Sequence, residues 1–348
     1  MADLKNNLFY YATKELSQDA FICWLCSYAL EDADITDKEL VKCAHNLVCE
    51  FLERGIEKDI DHDKAILKEV KRQIDNIDVL LTVEYIGKIY KIIVEDKVHS
   101  SEHDDQLRRY KEKLSEDNYD VIGIYFKTGF QSNMAEVNKA GYKLFNRNDI
   151  LSLLEKCNSN NDILKAYRDY WNDFENLAKS YRIIPVSEWP DWQPVNGFYD
   201  EMQSILEENG CWAGYGYVSN PAGGFWGLWY GMDEIFKIDS FEAELYLQVE
   251  SSWNYDLSKY DNRICLKLKN RMEDKRDDRI WKLRDILIEK QSDYGFEKPA
   301  RFRSGQHMTI GIYNAQFNDY KEFVKVILAS VEQLKGLFRV SNSEMNVQ

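Results

Sequence analysis

Between residues 65 and 97 the patterning of the chain turns from helical to β, and this stretch constrains the fold more than any other. "AILKEVKRQI" alternates in polarity, "IDVLLTVEY" is rich in β-branched and apolar residues, and "KIYKIIVEDK" is nearly continuous in them. The short "IGK" between the last two, with Gly87, suits a hairpin turn. Three strands in a meander are predicted. Two helices are predicted ahead of them. The first covers residues 9–31, with Leu16, Ala20, Cys23 and Trp24 near helical spacing. The second covers residues 36–54, with Thr36 as N-cap and Glu39 three residues later. After the meander, "SEHDDQLRRYKEKLSED" reads as a charged helix with Leu107, Tyr110 and Leu114 along one side. "DVIGIYFKT" is a fourth strand and "GYKLF" a short fifth, followed by helices in "NRNDILSLLEKC" and "DILKAYRDYWNDFENLAKSY". The helix after the third strand makes a crossover to the fourth. The fold class is α/β (α+β), with a central sheet flanked by helices.

A length of 348 residues suits two domains. "RIIPVSEWPDWQPV" holds three of the five prolines and reads as a linker or loop. It separates a first domain, 1–180, from a second, 181–348. The second is expected to be α+β and rich in tryptophan. "GCWAGYGYVSNPAGGFWGLWYGM" suits a hairpin with bulged turns. "EAELYLQVES", "RICLKLKN" and "HMTIGIYN" are further strands, with helices in "DDRIWKLRDILIEKQSDYG" and over 319–338.

Composition excludes several classes. No apolar run approaches the roughly 18 residues that span a bilayer, so no membrane partner is expected, and no signal peptide is recognisable. The seven cysteines, Cys23 and Cys26 on an apolar helix among them, read as reduced thiols of a cytoplasmic protein. A net charge of −15 argues against coating nucleic acid through bulk electrostatics, though it leaves a local basic groove open. No dinucleotide, Walker, HExxH or GxSxG motif occurs.

The chemistry-bearing residues lie on the meander. Residues two apart on a strand share a face, so Glu95 and Lys97 point one way and Asp96 the other, as an ordinary strand-end charge. Asp78 begins the strand that pairs antiparallel with the one Glu95 ends, which puts both carboxylates at one end of the hairpin. Asp75, three residues before Asp78, faces away from it. Two carboxylates with open positions form a hard oxygen site suited to Mg²⁺ or Mn²⁺. Beside it, a lysine can stabilise the charge that builds up in phosphodiester hydrolysis. Taken singly, a Glu-x-Lys triplet also suits a solvated strand end, and Glu15 also suits the first turn of a helix.

Asp78, sixteen intervening residues, then Glu95-Asp96-Lys97 at the end of an apolar strand resembles the PD-(D/E)XK nuclease superfamily. Within it, the resemblance is to a bacterial branch whose motif strand leads into a helix bearing Gln-Leu-x-x-Tyr, here "QLRRY" with Gln106, Leu107 and Tyr110. That branch also carries an acid on its first helix ahead of Trp-Leu, here Glu15 in "KELSQDAFICWL". The likeness covers roughly residues 10–175. It departs at Ile77, where proline stands in the family's name motif. The resemblance implies a restriction-endonuclease-like core with a mixed sheet, with Asp78, Glu95 and Glu15 as metal ligands and Lys97 as the catalytic lysine. Gln106 would contact the scissile phosphate or the attacking water. Tyr110 and Arg109 on the same helix would face nucleic acid. It further implies DNA as substrate, with RNA left open, and a role in defence against foreign DNA. The alternative keeps the fold without catalysis, as a nucleic-acid- or partner-binding module. In the second domain, tryptophans beside Arg301 and Arg303 suit base stacking and phosphate binding, as well as a tryptophan-rich core. A homo-oligomer is left open.

Overall fold

A computed structural model describes residues 6–33, 36–100, 105–115, 119–220, 223–272, 278–300, 302 and 305–347. The chain divides into two compact units, Met1–Glu175 and Asn176–Gln348.

In the first unit, α1 (Glu15–Ser27) and α2 (Lys38–Ile56) precede β1 (Ala65–Ile74), β2 (Ile77–Tyr85) and β3 (Lys88–Lys97). Then follow α3 (Gln106–Ser115), β4 (Asp120–Lys127), α4 (Ala135–Lys139), β5 (Lys143–Asn146), α5 (Arg147–Glu155) and α6 (Asp162–Lys179). The five strands lie in chain order in one sheet. β1, β2 and β3 are antiparallel, whereas β3–β4 and β4–β5 are parallel, so the sheet is mixed. The first helix starts later than its periodicity predicts: residues 8–10 form a 3₁₀ turn capped by Asn7, and α1 begins at Glu15. The cap of α2 is Asp37, which accepts the Leu40 N–H at 3.0 Å, in place of the predicted Thr36. The β2–β3 turn places Ile86 and Gly87 at φ 49° and 73°, the mirror-image turn geometry that matches strand twist.

Both faces of this sheet are covered. α3 packs Leu107 and Tyr110 against Ile77, Leu80, Ile93 and Tyr125. On the other face, Phe51 of α2 meets Phe126 and Phe145 edge-on, with centroids 6.3 and 5.0 Å away. Ile92 to Asp96 are therefore buried without interruption, the continuous pattern of a strand with helices on both sides. That cover carries the two carboxylates at its end out of water.

The second unit runs α7 (Trp192–Glu208), β6 (Trp212–Val218), β7 (Phe225–Ile238), β8 (Phe241–Asn254), β9 (Lys259–Asn270), α8 (Asp278–Lys290), β10 (Phe296–Glu297), β11 (His307–Tyr313) and α9 (Tyr320–Val347). Its strands form an antiparallel sheet in the order β10-β11-β9-β8-β7-β6. Leu228, Tyr230, Leu247, Val249, Leu266 and Leu268 are buried. Tyr230 reaches Ser330 of α9 at 3.0 Å, and Tyr199 of α7 reaches Ser251 at 2.6 Å. The proline-rich stretch is not a bare linker. Trp189 is wholly buried against Phe198 and Phe323, and α7 starts at Trp192, with Pro194 in its first turn. The free thiols Cys23 and Cys26 have Cys-x-x-Cys spacing on α1, but burial pushes Cys23 up to about 12, away from redox reactivity.

Candidate active site

Antiparallel register sets the site. Val79 pairs with Val94, so Asp78 and Glu95 lie at the same end of the β2–β3 hairpin. The Asp78 Oδ2 accepts the backbone N–H of Asp96 at 3.0 Å, which ties the two strand ends together. Lys97 donates to Glu95 Oε1 at 2.5 Å, and its Nζ stands 3.8 Å from Asp78 Oδ2. The side-chain amide of Gln106, the first residue of α3, donates to the same Glu95 oxygen at 2.9 Å and to the Tyr110 hydroxyl at 2.6 Å. Asp78, Glu95, Lys97 and Gln106 are thus brought together.

The other sequence candidates stand differently. Glu15 Oε1 accepts from the Val98 N–H at 3.2 Å and the Ser100 hydroxyl at 2.5 Å, so it braces the segment just beyond Lys97. Tyr110 is buried in the core and reaches the site through Gln106, not as an exposed ring. Arg109 is exposed on α3. Arg301 and Arg303 lie outside the described residues. Asp75 occupies the β1–β2 turn at φ 54° and pairs with Lys113. Asp96 is no ordinary strand-end charge: it is wholly buried, and Gln18 of α1 donates to it at 2.5 Å.

Sequence reading missed a layer of residues behind the motif. Gln18 also accepts from Thr128 at 3.0 Å and Tyr167 at 2.9 Å, which makes it a fully buried hub. Asp19, almost fully buried, is joined to Asp78 by Gln73, which donates to both at 2.8 and 3.2 Å. The separations Glu15, Gln18 and Asp19 put all three on one face of α1, a signal that was legible but unweighted. At the end of β4, in register with Lys97, the buried Lys127 donates to the carbonyls of Val98 and Ser100 at 3.1 and 2.6 Å.

The electrostatics show a surplus of negative charge. Burial first, and the Asp78 charge second, push Glu95 up to about 7. Burial and Asp78 likewise push Asp19 up to about 6, and burial holds Asp96 well above the carboxylate range. Asp19 Oδ1 and Asp96 Oδ2 are both buried without a hydrogen-bond partner. For Lys97, burial alone would depress the ammonium, but Glu95, Asp78 and Glu15 together hold it above its ordinary value. Burial also works against ionisation of Glu15, yet the Ser100 and Val98 hydrogen bonds and Lys97 keep its carboxyl low.

A divalent cation suits this donor set. Glu95 Oε2 is buried without a hydrogen-bond partner, and the Lys97 ammonium is shared between Glu95 and Asp78. No three ligand side chains converge among the described residues. An ion here would rest on Asp78 and Glu95, with water and substrate oxygens completing its shell, as Mg²⁺ favours.

A mixed sheet between helices, with two acids and a lysine at one hairpin end, defines a nuclease-type core. A family model for the PD-(D/E)XK nuclease superfamily matches residues 6–179, half the chain, and the protein belongs to that superfamily. No curated protein and no solved structure matches the chain.

Proposed function

We propose that this protein is a metal-dependent phosphodiesterase that hydrolyses DNA, with Asp78 and Glu95 holding Mg²⁺ or Mn²⁺. The observation that carries this reading is the buried Glu95: one oxygen accepts from both Lys97 and Gln106, and the other has no partner. A bound divalent ion would supply Lewis-acid polarisation of the phosphate and a more acidic water. Lys97 offers its ammonium to the developing phosphate charge. Gln106, oriented by Tyr110, presents an amide that can hold the phosphate or the attacking water. Gln18, Gln73 and Asp19 fix the strand ends, and Glu15 with Lys127 fixes residues 98–100. Membership of the superfamily supports a nucleic-acid substrate. DNA, a cytoplasmic setting, descent from the bacterial branch and a defence role remain parts of this proposal. No described helix is long and apolar enough to cross a membrane.

The test is incubation with linear, circular and single-stranded DNA, and with RNA, in Mg²⁺ or Mn²⁺. Wild type is expected to cut DNA, with Asp78→Ala and Lys97→Ala each slowed by at least about 10²-fold. A wild type that cuts no substrate with either metal would leave a binding module on a nuclease fold.

A further inference from the structure

We infer that the second unit holds a site for single-stranded nucleic acid, in a cleft of about 1100 Å³ lined by aromatic rings and by the ion cluster of Glu250, Arg263 and Lys267. For the choice of ligand, the inference rests on the nuclease reading of the first unit. The cleft is lined chiefly by β7, β8, β9 and β11, so one rigid sheet builds it.

Its aromatic part contains Trp226, Trp253, Tyr255 and Tyr260. Trp253 and Tyr260 face each other across β8 and β9 with centroids 5.0 Å apart, and Tyr255 is 84% exposed at the hairpin tip. The exposed Tyr255 ring at the hairpin tip, with the half-buried Trp226 and Trp253 on the strands, offers faces on which bases can stack, since every base presents a π-face.

The charged part has a surplus of cations. Glu250 is buried, and two cations serve its one carboxylate. Arg263 donates Nε and Nη2 to Oε2, at 2.9 and 2.5 Å. Lys267 donates to Oε1 at 2.8 Å and to Thr309 at 2.8 Å. Lys267 is itself more than nine-tenths buried, yet it lines the cleft. The Arg263 side chain is 59% exposed, and its Nη1 has no hydrogen-bond partner among the described residues. The cluster therefore carries a net positive charge, with donors left over for an anion. His307, at the same end, is held below its ordinary value by burial and by Lys269 and Lys267, consistent with that field. Asp191 lines the cleft near Tyr260, which leaves the cationic part as the seat for phosphate.

Spacing favours a strand over a free nucleotide. Glu250 and Arg263 pair three positions along the ladder from Trp253 and Tyr260, roughly 10 Å of extended backbone and, the offset being odd, on alternate strand faces. The Lys267 ammonium reaches back to Glu250, so both cations gather at that level. Rings and cations thus stand further apart than the base-to-phosphate reach of one nucleotide.

The experiment uses the full chain carrying Lys97→Ala, in EDTA, so that binding is read without cleavage. Fluorescence anisotropy follows a short fluorescein-labelled oligo(dT), with thymidine monophosphate as competitor. Arg263→Gln and Tyr255→Ala alter exposed side chains, and circular dichroism checks that each variant is folded. Each is expected to weaken binding about tenfold, within the range for a lost base stack. Arg263→Gln should also lower the salt slope by about 1. The monophosphate should compete only weakly. Absent oligonucleotide binding, unchanged binding in both folded variants, or a monophosphate that competes as well as the oligonucleotide would overturn the inference. If wild type cuts DNA in Mg²⁺ while the variants bind unchanged, the cleft falls and the nuclease reading stands. If wild type cuts nothing but the variants lose binding, the reverse holds.

Discussion

Two buried glutamates, one in each unit, have opposite surroundings. Glu95 is wholly buried in the field of Asp78 and Asp19, with Lys97 as its cation, and is pushed up to about 7. Glu250 is nearly as buried, and burial would raise it too, but Lys267 and Arg263 hold its carboxyl below the usual range. Burial is common to both, so it does not explain the difference. The sign of the surplus does. Around Glu95 uncompensated carboxylate charge calls for a cation. Around Glu250 the extra cation leaves donors for an anion. Within a charged cluster, the residual charge is a better guide to the missing partner than the presence of ion pairs.

The largest expected effect separates the two clusters by chemistry. Lys97→Ala should lower the cleavage rate by about 10²- to 10³-fold, the usual loss when a donor to transition-state charge is removed. Arg263→Gln should leave the rate at saturating DNA unchanged and raise KM, measured in the same assay. Equal loss of rate in both would erase the distinction.

Stability should respond with opposite signs. Glu250→Gln strands Lys267 in the interior and is expected to cost ~3 kcal/mol, as when one partner of a buried pair is removed. Glu95→Gln, in metal-free protein at about pH 8, removes an uncompensated buried charge and should raise the urea midpoint. Destabilisation by both substitutions would contradict the assignment of surplus.

A smaller loss is expected behind the first cluster. Gln18→Leu leaves Asp96, Thr128 and Tyr167 without their shared partner, and should cost about 1–3 kcal/mol by urea denaturation.

The pH dependence should follow the raised carboxyls. Glu95, Asp19 and Asp96 all lie above their unfolded values. The folded form holds more of their protons, so their contribution is complete below the unfolded values and is lost as pH rises through the folded ones. His99 and His307, both held low, act in the other direction. The clean comparison is therefore with Asp96→Asn, which leaves the histidines in place. Between about pH 5 and about pH 8, the Tm of metal-free wild type should fall more than that of Asp96→Asn. Parallel curves would show that Asp96 is ionised when buried.

The motif was legible because it is local. Strand alternation put Glu95 and Lys97 on one face, the hairpin brought Asp78 to the same end, and Gln106 followed on the crossover helix. The burial of Asp96 was not legible, because alternation says which side a residue faces and not what covers that side. Gln18, Thr128 and Tyr167 come from three elements distant in sequence. Asp19 was hidden by Glu15, since either acid fits the start of a helix ahead of Trp24-Leu25. Thr36 and Asp37 are both good caps, and only the Asp37–Leu40 hydrogen bond separates them. In the second unit, proline content suggested a linker where Trp189 anchors a core. The Glu250 cluster had no local signature: Glu250 and Arg263 become neighbours only through β8–β9 register, and Lys267 joins by reaching along the sheet.

The most direct test of the central claim is calorimetric titration of the folded protein with Mn²⁺ at about pH 8, where Glu95 is ionised. Wild type and Arg263→Gln should bind the ion equally, while Asp78→Asn and Glu95→Gln should each weaken it by at least about tenfold. No binding by wild type, or the same affinity in all four proteins, would contradict the reading of the Asp78–Glu95 pair as a divalent-cation site.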